Sequence, residues 1–317
     1  MNSKCNLIIG SNGFIGSSLF KSFKNTENIF TISKSKNINF KNSNHFSMNV
    51  ENISGLKKII KDLSSKYKKI NIFYLVGPIS SDKSIKNPVT LSFKNSNEVL
   101  IKSISNIINV LEILKGINCT FLFASSGAIY DSRNSNFFKE GDPLFPPSPY
   151  AAIKYSSEGI CQSFLESFDI DIRIARIFSV YGEEMDRFFI YDVVKKLLFA
   201  DAEIVLHGSG LQERDYLHVK DVVSGLKIIM SKGSPGEIYN LCSGIPFNLS
   251  NLTSKIKTYL ELEEINVRWD EKDTKGIRDV WYGNNEKIKN LGFRIDNSQD
   301  VKLKSTVNSI KKRILAR

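Results

Sequence analysis

Along the first half of the chain, short apolar runs alternate with longer stretches in which apolar residues recur every three or four positions. The short runs read as buried strands and the longer stretches as helices packed on one face. "NLIIG" is a buried first strand and "FIGSSLFKSF" the helix behind it. "NIFTIS" is a second strand, "ISGLKKIIKDL" an amphipathic helix, and "INIFYLV" a further strand. After Pro88 a long helix sets Leu100, Ile104, Ile107, Leu111 and Leu114 on one face, with Gly116 as its stop. "TFLFAS" is another buried strand, followed by a loop holding Pro143, Pro146, Pro147 and Pro149. The next helix opens at "SPYAAIK", where Pro149 suits the first helical position because its missing N–H would be unpaired there anyway. "DIRIARIFSV" is the last clear strand of this half, and from about Gly182 the elements become shorter and more mixed. Such alternation predicts an α/β fold: a Rossmann-type, doubly wound parallel sheet with a smaller C-terminal α/β lobe.

Composition narrows the class. With 317 residues, 41% hydrophobic and 24% charged, the chain has the make-up of a soluble globular protein of one or two domains. No apolar stretch approaches the roughly 20 residues that cross a bilayer. The five mostly apolar residues "CNLII" after Lys4 are too short for a signal-peptide core. Four well-separated cysteines and three histidines argue against a zinc site and for reduced, buried thiols in a cytoplasm. The net charge of +11 calls for an anionic partner or for none. The lysines are scattered, with only short clusters such as Lys57-Lys58 and Lys311-Lys312-Arg313, so a phosphate-bearing small molecule is expected ahead of nucleic acid.

Gly10, Gly13 and Gly16 punctuate "IIGSNGFIGSS" between the first strand and first helix. The first allows the sharp turn, the second lets backbone approach a pyrophosphate, and the third lets helix and sheet pack closely. A helix N-terminus then faces the anion. The spacing is three plus three, where the commonest dinucleotide fingerprint has two plus three. An acidic residue near the end of the second strand would take the ribose hydroxyls of NAD. That strand ends "TISKSK", with Ser33 in the acid's place and Lys34 and Lys36 beside it, so NADP(H) is favoured and NAD(H) stays open. On this reading residues 1–180 form a dinucleotide-binding domain, joined by returning segments within about 215–245, and residues 181–317 are mainly the substrate lobe.

Tyrosine precedes lysine by four residues at Tyr150/Lys154, Tyr191/Lys195 and Tyr216/Lys220. Tyr191/Lys195 lies beyond the last strand of the first half. Tyr216/Lys220 begins in a strand-like stretch, where residues four apart stand about 13 Å from each other. Only Tyr150 has a strand-end serine upstream, Ser126, at the sheet edge where ligands collect. A phenol with a pKa of about 10 is a poor base, but an ammonium within a few ångströms, together with a positively charged nicotinamide ring, would favour the phenolate. Ser126, Tyr150 and Lys154 are therefore the catalytic candidates.

These residues, together with "NPVTLSFKN", "PPSPYAAIK", "RIFSVYG", "GSGLQERDYLHVKDV", "GEIYNLCSG" and "NNEKIKNLGF" in that order, resemble the extended branch of the short-chain dehydrogenase/reductase superfamily. Its members include nucleotide-sugar epimerases, dehydratases and reductases. The resemblance implies cofactor contacts from Gly10, Asn12, Gly13, Phe14, Ile15 and Gly16, from Ser33, Lys34, Lys36, Asn49 and Val50, from Leu75, Val76 and Gly77, and from Asn95, Tyr150 and Lys154. It implies a pyrophosphate contact at Arg214, whose plain alternative is a surface ion pair with Asp215, and a second phosphate ligand at Arg278. It also implies a homodimer through the long helix after Pro88 and the Tyr150 helix. The chain departs from the pattern at three places. Gly127 and Ala128 stand where 4,6-dehydratases carry an Asp-Glu pair, which argues against dehydration. Ser179 replaces an asparagine near the substrate phosphates, and Asn49 an aspartate near the adenine. The expectation is a cytoplasmic enzyme moving hydride at C4 of a nucleotide-linked hexose, as a 4-keto reductase or a 4-epimerase. The rival is a dinucleotide sensor or RNA-associated protein on the same fold.

Overall fold

The computed structural model describes residues 3–23, 28–35, 44–77, 96–131, 137–271, 280–296 and 298–316. In chain order the first elements are β1 (Cys5–Ile9), α1 (Phe14–Lys21), β2 (Ile29–Ser33), β3 (Asn44–Ser47), α2 (Ile53–Lys66) and β4 (Ile70–Tyr74). Next come α3 (Ser96–Leu114), β5 (Cys119–Ser126), β6 (Phe137–Phe138), α4 (Pro149–Phe168), β7 (Asp171–Ile177) and β8 (Ser179–Tyr181). The remainder comprises α5 (Phe189–Leu198), β9 (Glu203–Leu206), β10 (Glu213–His218), α6 (Val219–Lys232), β11 (Ile238–Leu241) and β12 (Pro246–Asn248). It ends with α7 (Leu249–Leu260), β13 (Asn266–Trp269), β14 (Val280–Gly283), α8 (Glu286–Asn290) and α9 (Gln299–Leu315).

The apolar runs assemble as a seven-stranded sheet in the order β11-β7-β5-β4-β1-β2-β3, every pairing parallel. Such strands are buried on both faces, which is why they read as near-continuous apolar runs. Leu56, Ile60 and Leu63 of α2, Leu111 and Leu114 of α3 and Cys161 of α4 form the core on one face. Leu19 of α1, Val222 and Leu226 of α6 and Ile288 of α8 form the core on the other. The strand order reverses between β1 and β4. Ile9 is in register with both Ile32 and Tyr74, so the chain segments leaving β1 and β4 emerge side by side. Ligands of doubly wound sheets bind in the crevice at this reversal.

Two smaller sheets complete the fold. One runs β12-β10-β14-β6, with β8 also paired to β10, and the other pairs β13 with β9. A third core joins α5, α7 and α9 around Ile190, Val194, Leu252, Ile256, Val307 and Ile310.

"DIRIARIFSV" is two strands where its sequence predicts one. Ile177 is the last residue in register with β5, whereas Ser179, Val180 and Tyr181 pair with β10 in the second sheet. The break falls at Phe178, whose ring leaves the main sheet for an aromatic core of Tyr130, Phe138 and Cys242. The polar edge strand β3, "NHFS", carries no apolar run to announce it, and the strands after residue 178 are only three to six residues long.

Candidate functional site

Gly10 leaves β1 with φ +94°, a conformation open to glycine and strained for other residues. A Cβ built there would stand 3.0 Å from the Leu75 carbonyl carbon, just past the end of β4. On Gly16 a Cβ would fall 2.3 Å from the Gly10 carbonyl oxygen. The loop therefore folds tightly under α1, and Gly13 occupies the N-cap with no side chain closing the helix end. Asn12 ties the loop to the end of β2: its Nδ2 donates to the Ser35 carbonyl at 2.7 Å and to Ser35 Oγ at 2.9 Å. The other amide atom, Asn12 Oδ1, is buried with no protein partner. A bare backbone cradle, an uncapped helix start and an orphaned acceptor fit the diphosphate and ribose of a dinucleotide. Phe14 packs against the third core and Ile15 against the α1–α6 core, so their side chains anchor the loop.

Ser33 is buried, its Oγ donating to the Ser35 carbonyl at 2.9 Å, with His45 Nε2 at 3.4 Å. Lys34 is exposed beside it. Asn49 is half-buried and accepts from the Glu51 N–H at 3.4 Å, while the Val50 side chain belongs to the α2–α3 core. Lys36, Asn95 and Arg278 lie outside the described residues.

Ser126 ends β5, buried, and its Oγ accepts from the Ala128 N–H at 3.2 Å, capping a single 3-10 turn over Gly127–Ile129. Tyr150 stands in the first turn of α4, a helix begun by Ser148, whose Oγ accepts from the Ala151 N–H at 3.2 Å, and by Pro149. Tyr150 lies close enough to Ser126 for the serine hydroxyl to lower the phenol's pKa. The phenol's pKa nonetheless moves upward from its ordinary value. Burial raises it, and the Ser126 hydroxyl offsets only part of that rise. Lys154 Nζ donates to the Ala124 carbonyl at 2.7 Å, two residues before Ser126, and lies 4.9 Å from the centre of the Phe123 ring. Burial lowers Lys154 to about 8, against the opposing pull of Glu158 and Cys161. A cavity of about 50 Å³ brings Lys154 together with Val76 and Gly77 at the end of β4, and with Tyr74, Ser103 and Asn106. Ser126, Tyr150 and Lys154 thus gather at the carboxyl edge of the sheet, with β4 between them and the glycine loop.

The other tyrosine–lysine pairs do not reach this edge. Tyr191 and Lys195 share α5, where Tyr191 packs into the third core. Tyr216 is in β10 and Lys220 in α6, where Lys220 pairs with Glu183 at 3.5 Å. Ser179 opens β8 opposite Tyr216. Arg214 Nη1 donates to the Glu213 carbonyl at 2.8 Å.

The plain alternative for Arg214, a surface ion pair with Asp215, does not hold, because strand alternation points the two side chains to opposite faces. Asp215 is fully buried and accepts from the backbone N–H groups of Ser243 at 2.6 Å, Gly244 at 2.9 Å and Gly283 at 3.4 Å. Burial still raises its pKa to about 6.

Three contacts around the site were not foreseen. Trp281 of β14, in register with Arg214, donates its indole N–H to the Gly127 carbonyl at 3.2 Å. Phe178 stacks on Trp281, ring centres 4.8 Å apart, and a Cβ on Gly127 would meet the Phe178 ring at 2.7 Å. Glu158, one turn beyond Lys154, pairs with Arg176 at 2.8 Å. The last had a sequence signal: a stripe at 150, 154 and 158, and a lone charge inside the apolar run "IARIF".

The family model for the NAD dependent epimerase/dehydratase family matches residues 6–242. A dTDP-D-glucose 4,6-dehydratase of Dictyostelium discoideum is 31% identical over 272 residues, 78% of this chain and 59% of that one. The chain thus spans little more than half the length of that relative. Among solved structures, the UDP-glucose 4-epimerase of Thermotoga maritima superposes with a TM-score of 0.84 at 23% identity, over 99% of this chain and 100% of that one. A dTDP-glucose 4,6-dehydratase of Streptomyces venezuelae, solved with NAD, gives 0.81 at 20% identity over 98% and 97%.

Proposed function

The chain belongs to the NAD-dependent epimerase/dehydratase family, and from that premise we propose that it performs oxidoreduction at C4 of a nucleotide-linked hexose. The outcome is either reduction of a 4-keto sugar or 4-epimerisation. The observation that carries this reading is the gathering of Ser126 at the end of β5, Tyr150 in the first turn of α4 and Lys154 bonded to the Ala124 carbonyl, at the carboxyl edge of the sheet beside the β1/β4 reversal.

When bound, the nicotinamide supplies the partner for hydride exchange at C4. The chain's own residues handle the oxygen. Ser126 Oγ holds the C4 oxygen, and the Tyr150 hydroxyl gives it a proton on reduction or takes one on oxidation. Lys154 puts a buried positive charge behind the phenol, favouring the phenolate as that proton leaves. Arg214, on the second sheet, is the proposed partner of the sugar-nucleotide pyrophosphate, with the C-terminal lobe as the substrate lobe. Dehydration is disfavoured on chemical grounds. Gly127 and Ala128 offer no acid or base to expel water, and the Phe178 ring fills the space that a side chain on Gly127 would need.

NADP(H) is the proposed cofactor. Ser33 stands where NAD binding calls for a carboxylate, and Lys34 beside it suits a 2'-phosphate. Ile101 of α3 and Tyr155 of α4 are exposed apolar side chains on adjacent helices, which supports a homodimer through that pair. Four buried free thiols support a reducing, cytoplasmic setting.

Loss of NADPH absorbance in step with a 4-keto sugar nucleotide identifies the reductase. Turnover of a non-keto sugar nucleotide without net cofactor change identifies the epimerase. Tyr150→Phe is expected to lower turnover by about 10²- to 10⁴-fold while dinucleotide binding survives. Unchanged turnover in that variant overturns the assignment, and absence of turnover in the unaltered protein with every sugar nucleotide supports a dinucleotide-binding protein without catalysis.

A further inference from the structure

Glu158 and Arg176 are 3% and 2% exposed, beneath the site rather than in it. Arg176 Nε and Nη2 both donate to the Glu158 carboxylate, at 3.1 Å and 2.8 Å to its nearer oxygens. Nη1 donates to the Tyr130 hydroxyl at 2.9 Å and to the Glu140 carbonyl at 2.8 Å. The Tyr130 hydroxyl donates to Asn240 Oδ1 at 2.6 Å, and Asn240 Nδ2 donates to the Phe138 carbonyl at 2.8 Å. The Asn240 N–H donates to Glu140 Oε1 at 2.8 Å, closing the network.

Its members lie on the elements that carry the candidate catalytic groups. Glu158 is on α4, two turns beyond Tyr150 and one beyond Lys154. Arg176 is in β7, in register with Ser125, and Tyr130 caps the turn that begins at Ser126. A buried ion pair is a poor source of stability, since well-packed apolar residues of the same volume do as well or better. Its directionality is another matter: a forked guanidinium on a carboxylate fixes the rotation of a helix as apolar packing does not.

We propose that the Glu158–Arg176 pair is the positioning unit of this site, clamping α4 in the rotation that presents Tyr150 and Lys154 to Ser126 and supplying the negative charge that balances the Lys154 ammonium. This rests on Ser126, Tyr150 and Lys154 being the reacting set. Among the described residues the titratable groups around Lys154 are Tyr150, Glu158 and Cys161 on its own helix and Tyr74 from β4, with Arg176 of β7 behind Glu158. From β5 it meets the Ala124 carbonyl and the Phe123 ring, and from α3 the uncharged Ser103 and Asn106. Glu158 is the group among these that favours the charged lysine most.

The test has two readouts. In the cofactor-free protein, acetylation of Lys154 by acetic anhydride, followed by peptide mass spectrometry across neutral to alkaline pH, has an expected midpoint of about 8. Glu158→Gln lowers that midpoint by about one pH unit, the scale for partly screened charges a helical turn apart. The double variant Glu158→Gln/Arg176→Met, which removes both charges of the pair, keeps the fold and lowers the midpoint by less, because loss of the guanidinium opposes loss of the carboxylate. With a 4-keto sugar nucleotide, both variants lose about 10- to 100-fold in kcat and little in KM, as expected for misplacement on the order of 1 Å. A midpoint unmoved in both variants, or an unmoved kcat, overturns the inference. Turnover by the unaltered protein is a separate control. Its absence removes the C4 chemistry, whereas normal turnover with an unmoved midpoint removes the positioning role alone.

Discussion

Gly16 shows how little freedom single residues have at the phosphate end. A methyl group there would sit 2.3 Å from a backbone oxygen, which no rotamer change can relieve. Gly16→Ala is expected to cost about 1–3 kcal/mol, as overpacking does, and to weaken dinucleotide binding by displacing the loop. Denaturant melts and a cofactor titration check both, and unchanged values would show that the loop yields at no cost. This glycine was legible in the sequence because turn and helix start are local. Tyr150 and Lys154 were legible for the same reason: four residues on a helix fix a shared face. The partners of Asp215 and Arg176 were not legible. They come from residues 28 and 68 positions away for Asp215, and from residue 158 and residue 130 for Arg176, and only the folded chain brings them together. The balance of burial against charge at Tyr150 was likewise hidden, since desolvation depends on neighbours the sequence does not order.

At the scale of elements, β10 carries opposite chemistries on its two faces. Arg214 and Asp215 are consecutive, so the strand can aim the first at a ligand only by burying the second. The buried carboxylate ties β10 to the loop after β11 and to the end of β14. Its pKa rises from 3.8 to about 6, so between those values the folded chain binds the proton better than the unfolded one. This group's contribution to stability is therefore full below about pH 4 and lost as pH rises through about 6. The loss amounts to roughly 3 kcal/mol, two pKa units' worth. Asp215→Asn should remove that slope. The difference in unfolding free energy between the unaltered protein and the variant, measured from about pH 4 to about pH 7, isolates the effect, and a flat difference counts against it. Elements with a strong apolar pattern, such as β5 and α2, were readable before folding. β3 and β14 were not, because short or edge strands gain their order from partners.

At the scale of the whole molecule, the cofactor loop and the C-terminal elements are built into each other. Phe14 packs into the core of α5, α7 and α9, Lys21 pairs with Glu184, and β11 returns to the main sheet. Both tryptophans, Trp269 and Trp281, lie outside that sheet, so their fluorescence reports on the C-terminal part. Thermal melts followed by tryptophan fluorescence and by far-UV circular dichroism should coincide. Both should move up together with NADPH, which at about 100 times its Kd adds about 2.7 kcal/mol. A fluorescence transition that ignores the nucleotide would show two independent units. The parallel sheet was visible in the alternation of strands and helices, whereas the second sheet draws on residues from 137 to 283 and had no contiguous signal. Gly127 also constrains how this scaffold can change over evolutionary time. A carboxylate at that position needs the Phe178 ring to retreat, and that ring leans on the indole that holds the Gly127 carbonyl. A side chain at 127 therefore disturbs three positions at once, Gly127, Phe178 and Trp281, rather than one.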